Sequence, residues 1–380
     1  PRHPDLGPSL EGLEAWRWED GDGIRYAGAR SNSWDTAFAM RALAESRDRR
    51  AAGALERAGR FLGAAQMREE LPRRREAGRE PILGGWCFSD GRHRWPVSDC
   101  TAEAVSAVLA AAGSADAAPA TVAAPALPLA SLRRAAEFIL ARQNRDGGFG
   151  TYEARRGPAW LERLNPSEMF GRCMVEGSYV ECTASCIEAL ARLAARDAAL
   201  VARGQPAIAA GVQFLRSRQR SDGSVPAAWG IDFTYGAFHF VKGLRAAGVP
   251  REDPALERAA QWLRARQRPD GGWGEHWSGC REGRYVEHPE SQPVMTAWAV
   301  LALLEVAAGD DPVVVRGVRW LLDHQRPEGG WPRGAVNGVF FGSAMLDYRL
   351  YPAYFPAWAL ARFMRSAAAG PPRAAAHPPA

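Results

Sequence analysis

The chain has 380 residues, 47% of them apolar, enough for a sizeable core in one large domain or two average ones. The formal net charge is +5, carried almost wholly by arginine, with Lys242 the single lysine. The arginines are scattered among Asp and Glu, whereas nucleic-acid binding needs a clustered basic face, so a nucleic-acid partner is not expected.

Residues 1–22 begin at Pro1 and read as a leader beside a truncation point, with an N-terminal region expected ahead of them. From 23 to 366 the chain reads as one helical domain. Apolar residues recur at helical spacing in Trp34–Ala44, Thr101–Ala112, Thr183–Ala195, Tyr235–Ala246, Thr296–Ala307 and Tyr354–Arg365. Between these stretches runs an irregularly spaced repeat. In each copy an aromatic-aliphatic pair leads to Gln five residues after the aromatic, then to an acidic-Gly turn and a second aromatic. Phe138-Ile139, Gln143, Asp146-Gly147-Gly148 and Phe149 form one copy. Trp262-Leu263 with Gln267 and Trp273, and Trp320-Leu321 with Gln325 and Trp331, are two more. Phe214-Leu215 with Gln219 is degenerate, and Phe61-Leu62 with Gln66 is delayed before Gly84-Gly85-Trp86 by an insertion near 68–82. The aromatic pair should sit in the last turns of a helix that the Gly-Gly turn ends. Alternating helix pairs predict an all-α fold, a closed barrel of inner and outer helices. An Ala/Pro insertion near 111–130 and a Pro/Ala tail at 367–380 read as flexible or disordered.

Chemistry concentrates in WPVSDCTAE, Trp95 to Glu103. Asp99 stands beside the Cys100 thiol at a helix start, and Glu103 lies one turn on, at i+4. A lone buried acid with a sulfur neighbour suits protonation in an apolar cavity, whereas an isolated Asp at such a place is more often an N-cap. The 14 tryptophans exceed ordinary usage and point to a lining larger than a normal core. The six cysteines show no CxxC pair, which reads as reduced thiols on a cytoplasmic face. No apolar run reaches the ~20 residues of a spanning helix. Heavy Arg, Ala, Gly and Pro usage reads as a high-GC coding bias of bacterial type.

The repeats resemble the QW motif of the triterpene cyclases, over roughly Gly23 to Arg362. NSWDTAFA (Asn32 to Ala39), WPVSDCTAE, NPSEMFG (Asn165 to Gly171), SYVECTAS (Ser178 to Ser185), WGIDFTYG (Trp229 to Gly236), GGWGE (Gly271 to Glu275) and NGVF (Asn337 to Phe340) are similar to blocks of the oxidosqualene cyclases, in the same order. The resemblance implies an (α/α)6 barrel. Squalene-hopene cyclases carry DxDD where this chain has Val97 and Cys100 around Asp99. A single acid activated by thiols suits an epoxide, so the implied substrate is 2,3-oxidosqualene, cyclised through carbocations to a sterol or triterpene alcohol.

The resemblance also implies site roles. Asp99 is the general acid, Cys100 and Cys182 hydrogen-bond it, and Glu103 joins its hydrogen-bond network. Trp34, Phe88, Trp229 and Phe340 offer faces to cations, and Tyr152 and Tyr348 stand near the growing rings. Val97 marks the substrate class. No cofactor and no metal is implied. The expected partners are the isoprenoid, a membrane surface and a preceding helical domain that closes the cavity. The expected location is peripheral, on the cytoplasmic side of a membrane. Arg172-Cys173, Glu176-Gly177 and Asp232 depart from the family pattern, which leaves the product open. Three other readings stand beside this one: a non-catalytic isoprenoid- or lipid-binding barrel, a squalene-type cyclase, and a prenyltransferase-like barrel, which would need a convergent Asp, Cys and His metal site.

Overall fold

The computed structural model describes residues 3–14, 17–21, 23–26, 30–115, 127–167 and 170–368. Most of the expected tail, and residues 116–126 of the expected Ala/Pro insertion, lie outside the described residues. Leu6–Glu14 (α1) and a hairpin of Arg17–Asp20 (β1) with Gly23–Tyr26 (β2) come first. Helix pairs follow. Asn32–Ser46 (α2) precedes Ala52–Ala65 (α3), and Ser98–Ala115 (α4) precedes Leu129–Leu140 (α5). Val180–Ala194 (α6) precedes Ala198–Arg218 (α7), and Phe233–Ala246 (α8) precedes Pro254–Arg264 (α9). After the short Ser278–Glu282 (α10), Pro293–Leu304 (α11) precedes Pro312–Asp323 (α12), and Tyr351–Ala368 (α13) is last. Two small hairpins interrupt the pairs: Trp86–Cys87 (β3) with Pro96–Val97 (β4), and Gly338–Phe340 (β5) with Ala344–Leu346 (β6).

Helices α2, α4, α6, α8, α11 and α13 each pack on the next, and α13 packs back on α2, which closes a ring of inner helices. Helices α3, α5, α7, α9 and α12 lie outside it. The two classes differ in sequence as their surroundings require. An inner helix is covered all round, and every residue of α11 (PVMTAWAVLALL) is buried. An outer helix keeps a wet face, and α12 buries only Val314, Gly317, Val318, Trp320 and Leu321, a stripe at helical spacing. The expected helical stretches are the inner helices, and the repeats belong to the outer ones.

The repeat works as a clasp between successive outer helices. The helix stops before the Gln, not at the Gly-Gly as expected: α5 ends at Leu140 and α9 at Arg264. The Gln side chain then donates twice. Gln143 Nε2 reaches the Gly147 carbonyl of its own turn at 2.9 Å and the Ala207 carbonyl of α7 at 2.8 Å. Gln66 bridges Gly84 to Ser131, Gln219 bridges Gly223 to Ala255, and Gln267 bridges Gly271 to Val313 in the same way. Glycine is required in the turn for two reasons. Gly147 has φ +85°, and a Cβ there would lie 2.4 Å from the Ala210 carbonyl oxygen. The closing tryptophan ties the turn back to its own helix, Trp273 Nε1 donating to the Leu263 carbonyl at 2.8 Å and Trp331 Nε1 to the Leu321 carbonyl at 2.7 Å. Gln325, in the last copy, is exposed, because among the described residues an inner helix and no further outer one follows it. The stretch near 68–82 packs on the barrel: Arg142 donates to the Pro81 carbonyl at 3.0 Å, and Arg79 pairs with Glu153 at 2.7 Å.

Replacing Gln143 by Leu removes the two hydrogen bonds that join its turn to α7, which should cost about 1–3 kcal/mol in urea unfolding. Gln325→Leu should change stability by less than about 0.5 kcal/mol. Equal effects of the two variants would contradict the clasp.

Candidate active site

The β3–β4 hairpin delivers the chain into α4 and sets the place of Asp99 in its first turn. Val97 pairs with Trp86 across the hairpin. Thr101 Oγ1 donates to the Val97 carbonyl at 2.7 Å and accepts the Trp86 N–H at 2.9 Å, locking hairpin to helix. On the other side, Ser98 donates to the Gly150 carbonyl through Oγ at 2.6 Å and to the Thr151 carbonyl through its N–H at 2.8 Å.

Asp99 is buried, at 7% exposure. Its Oδ1 accepts the Cys100 backbone N–H at 2.7 Å, and its Oδ2 faces the Cys182 thiol at 3.7 Å. Cys182 in turn lies 3.3 Å from the Thr151 hydroxyl, so hydroxyl, thiol and carboxyl form a line. Burial pushes the Asp99 carboxyl up to about 6, against the hydrogen bonds from Cys100 and Cys182, which favour the carboxylate. Burial also pushes the Cys100 and Cys182 thiols up, so both stay protonated and able to donate. Cys186 turns its thiol to the Ser98 carbonyl, 3.8 Å away.

Glu103 does not join this network. It is wholly buried, but Oε2 accepts from Arg41 at 2.5 Å, and Oε1 accepts from Lys242 at 2.5 Å and from Ser185 at 2.7 Å. Glu188 completes a tetrad, paired with Arg41 at 2.5 Å and with Lys242 at 3.5 Å. Burial works to raise Glu103, yet the Lys242 and Arg41 charges hold it below the usual carboxylate range. Two cations within hydrogen-bonding distance outcompete a neutral acid one turn away. The effect of Glu103 on Asp99 is therefore its fixed negative charge, which favours the protonated acid.

The expected aromatics form two groups. Trp34 lies 6.3 Å from Phe88, which lies 6.2 Å from Tyr348. Tyr351 stacks on Tyr348 at 4.4 Å and accepts the Trp34 indole N–H at 2.8 Å. In the second group, Trp229 stands 5.4 Å from Phe340 and from Phe341, and 5.5 Å from Tyr179. Tyr152 packs on Trp95 at 5.1 Å. Burial raises the Tyr152 and Tyr348 phenols, and Asp99 is among the charges that each of them feels. A cavity of about 260 Å³ opens beside Trp229, lined by Tyr179, Glu181, Asp232 and Phe341 among others, and Asp99 is not on its wall.

Several residues here escaped the sequence reading. Glu176 accepts the Thr151 and Tyr152 N–H groups at 3.0 and 3.2 Å. Glu181 accepts those of Ala228 and Trp229, each at 2.6 Å. Glu275 accepts those of Phe233 and Thr234 at 3.0 and 2.9 Å. Glu176 and Glu181 hold loops that carry Tyr152 and Trp229, Glu275 holds the first turn of α8, and nothing in sequence spacing marks these tasks. Glu176, noted only as a departure, is thus the residue that positions Thr151 and Tyr152. Burial pushes Glu181 up to about 7. Burial, then the Glu275 charge, pushes Asp232 up to about 8. Among the described residues no three His, Cys, Asp or Glu side chains converge as a metal-ligand set.

Two measurements check these electrostatics. The native state holds the Asp99 proton more tightly than the unfolded chain, so this group's contribution to stability is complete below about pH 4 and is lost as pH rises through about 6, a decline of about 3 kcal/mol. Asp99→Asn should remove that decline from urea-unfolding free energies, and parallel curves for the two proteins would refute the shift. Lys242→Met should destabilise by about 3–5 kcal/mol, with Glu103→Gln in the same chain restoring a large part.

A family profile described as the squalene-hopene cyclase C-terminal domain matches residues 30–365. A cycloartenol synthase of Dictyostelium discoideum is 38% identical over 369 residues, 95% of this chain and 51% of that protein. A human lanosterol synthase is 38% identical over 355 residues, 91% of this chain and 48% of that one. The chain thus spans about half the length of the curated relatives it matches. These relatives are eukaryotic and lend nothing to the bacterial reading of the composition. In fold, the chain is similar to an ent-copalyl diphosphate synthase from Streptomyces platensis, with TM-score 0.59 and 20% identity over 87% of this chain and 50% of that one. It is also similar to a type II terpene cyclase from Scytonema in complex with geranylgeranyl dihydroxybenzoate, with TM-score 0.56 and 17% identity over 96% of this chain and 97% of that one. The chain belongs to the squalene-hopene cyclase C-terminal domain family, and within it resembles the lanosterol and cycloartenol synthases.

Proposed function

We infer that this chain is the acid-bearing half of an oxidosqualene cyclase, which converts 2,3-oxidosqualene to a sterol or triterpene alcohol. The observation that carries the reading is the environment of Asp99. It is a buried carboxyl, raised to about 6, whose two oxygens face a backbone N–H and a thiol. Such a group keeps its proton in a dry site and stabilises the carboxylate once the proton is gone.

The chemistry follows from that placement. Asp99 gives its proton to the epoxide oxygen, the C–O bond breaks, and the oxygen becomes the product hydroxyl. The cation left on carbon is attacked by the next alkene, and each ring closure moves the charge along the chain. Trp34, Phe88 and Tyr348 in one group, and Trp229 and Phe340 in the other, offer aromatic faces to these cations, worth roughly 0.5–2 kcal/mol each. Loss of a proton ends the cascade, and no cofactor enters. A preceding helical domain would close the cavity, and a membrane surface would supply the substrate. No helix among the described residues is long and apolar enough to cross a membrane, and the reading places the protein peripherally, on the cytoplasmic side.

One observation favours a second reading, a non-catalytic isoprenoid-binding barrel: the open cavity lies beside Trp229 and does not reach Asp99. Product analysis separates the two. The protein together with its N-terminal region, given oxidosqualene in detergent, should yield a cyclised alcohol and leave squalene unconverted. Its kcat/KM should be level below about pH 6 and fall tenfold per pH unit above it, because only the protonated acid reacts. Asp99→Asn should abolish turnover. Bound but unconverted substrate would establish the second reading, and full activity in Asp99→Asn would falsify the assignment of the acid.

A further inference from the structure

A cavity of about 450 Å³ lies away from Asp99. It is built by the later turns of the inner helices, whereas Asp99 is in a first turn. The ionic tetrad separates the two, with Lys242 and Arg41 on the cavity wall and Glu103 behind them. The cyclase reading gives this end of the barrel no task.

Its walls carry five cations, Arg41, Arg192, Lys242, Arg245 and Arg362, against two carboxylates, Glu188 and Glu305. Glu103 and Glu45, which pair with these cations from behind, leave five against four. The unmatched one is Arg245. It donates to the Val249 carbonyl, and its buried Nε–H has no hydrogen-bond partner. The indole N–H of Trp358, also on the wall, has none either. Buried N–H groups seldom stay unpaired, since each costs about 1–3 kcal/mol. Here two wall residues carry unpaired buried N–H groups beside a cavity with an excess of positive charge. The complement is a ligand rich in acceptor oxygens and negatively charged. A guanidinium fork suits phosphate in particular. Phe238 and Trp358 add aromatic wall, with Arg41 4.6 Å from the Trp358 ring and Lys242 5.4 Å from that of Phe238.

We propose that the cavity bounded by Arg245, Lys242, Arg41 and Trp358 binds a small phosphate ester, its phosphate on Arg245 and its organic part against the aromatic wall. The competing explanation is that the cations only balance the helix C-termini, each equivalent to about half a negative charge. Arg192 and Arg245 do stand in the last turns of α6 and α8, where that field acts, but they make no direct bond to the helix ends. Arg192 donates to Glu188, Arg362 to Glu45 and Glu305, and Arg245 to a carbonyl beyond the end of α8, so none of the three bonds a last-turn carbonyl of an inner helix.

The test does not depend on cyclase activity. Titration calorimetry of the full chain at fixed ionic strength should show saturable binding of phenyl phosphate, tighter than that of inorganic phosphate, with sodium chloride as the control. Arg245 is half-buried, so Arg245→Gln should fold normally, as judged by an unchanged melting temperature without ligand. That variant should bind phenyl phosphate about tenfold more weakly, the loss of one charge-assisted hydrogen bond. Trp358→Phe, which keeps the ring and removes the N–H, should weaken binding about threefold. No saturable binding, or equal affinity in wild type and Arg245→Gln, overturns the proposal and leaves the cations as helix-end partners.

Discussion

Four charged side chains buried inside the barrel set the terms for everything around them. Arg41, Glu103, Glu188 and Lys242 come from four successive inner helices, α2, α4, α6 and α8. Away from water, none of these charges tolerates the loss of its partners, because an uncompensated buried charge costs several kcal/mol. The helices are therefore held in one rotational setting about their own axes. That setting puts Asp99, one turn before Glu103, beside Cys182, one turn before Ser185.

The tetrad also divides the barrel chemically. At the end that holds Asp99, acids sit in the first turns of inner helices, or just before them, and burial raises several of them above the usual carboxyl range. At the other end cations line the cavity. Glu103 stands at the boundary. With Lys242 and Arg41 upon it, it acts on Asp99 as a fixed charge and not as a hydrogen-bonding neighbour. The acid then relies on Cys100, Cys182 and, through Cys182, Thr151. Glu176 holds Thr151 in place, so a residue that looked like a family departure supports the acid instead.

Much of the architecture was legible in the sequence. The six stretches whose apolar residues recur at helical spacing are the inner helices, and the most fully covered of them, α11, is apolar on every side. The repeats marked a set of helix ends, and the structure places those helices outside the ring. Where the reading slipped, the reason was local. The Gly-Gly turn was given the task of ending the helix, yet the helix stops before the Gln, whose side chain must be free to clasp the next one. Among candidate site residues, Asp99, Cys100 and Cys182 stand together, and Trp34, Phe88 and Tyr348 make one aromatic group. Trp229 and Phe340 make another, a division that linear spacing could not reveal.

The sequence by itself determined where helices form, the repeat, and the placing of one acid beside the Cys100 thiol, because these depend on spacing along the chain and on residue chemistry, whereas Cys182 was implied by the family resemblance. Only the tertiary structure decided where each charge goes. Glu103 lies at i+4 from Asp99 and can reach its face, but Arg41 and Lys242 are 62 and 139 residues away in sequence. Their approach in space turned a presumed partner of the acid into one corner of an ionic lock. Electrostatic energy depends on distance through space and on the absence of water, and neither is written in the order of the residues.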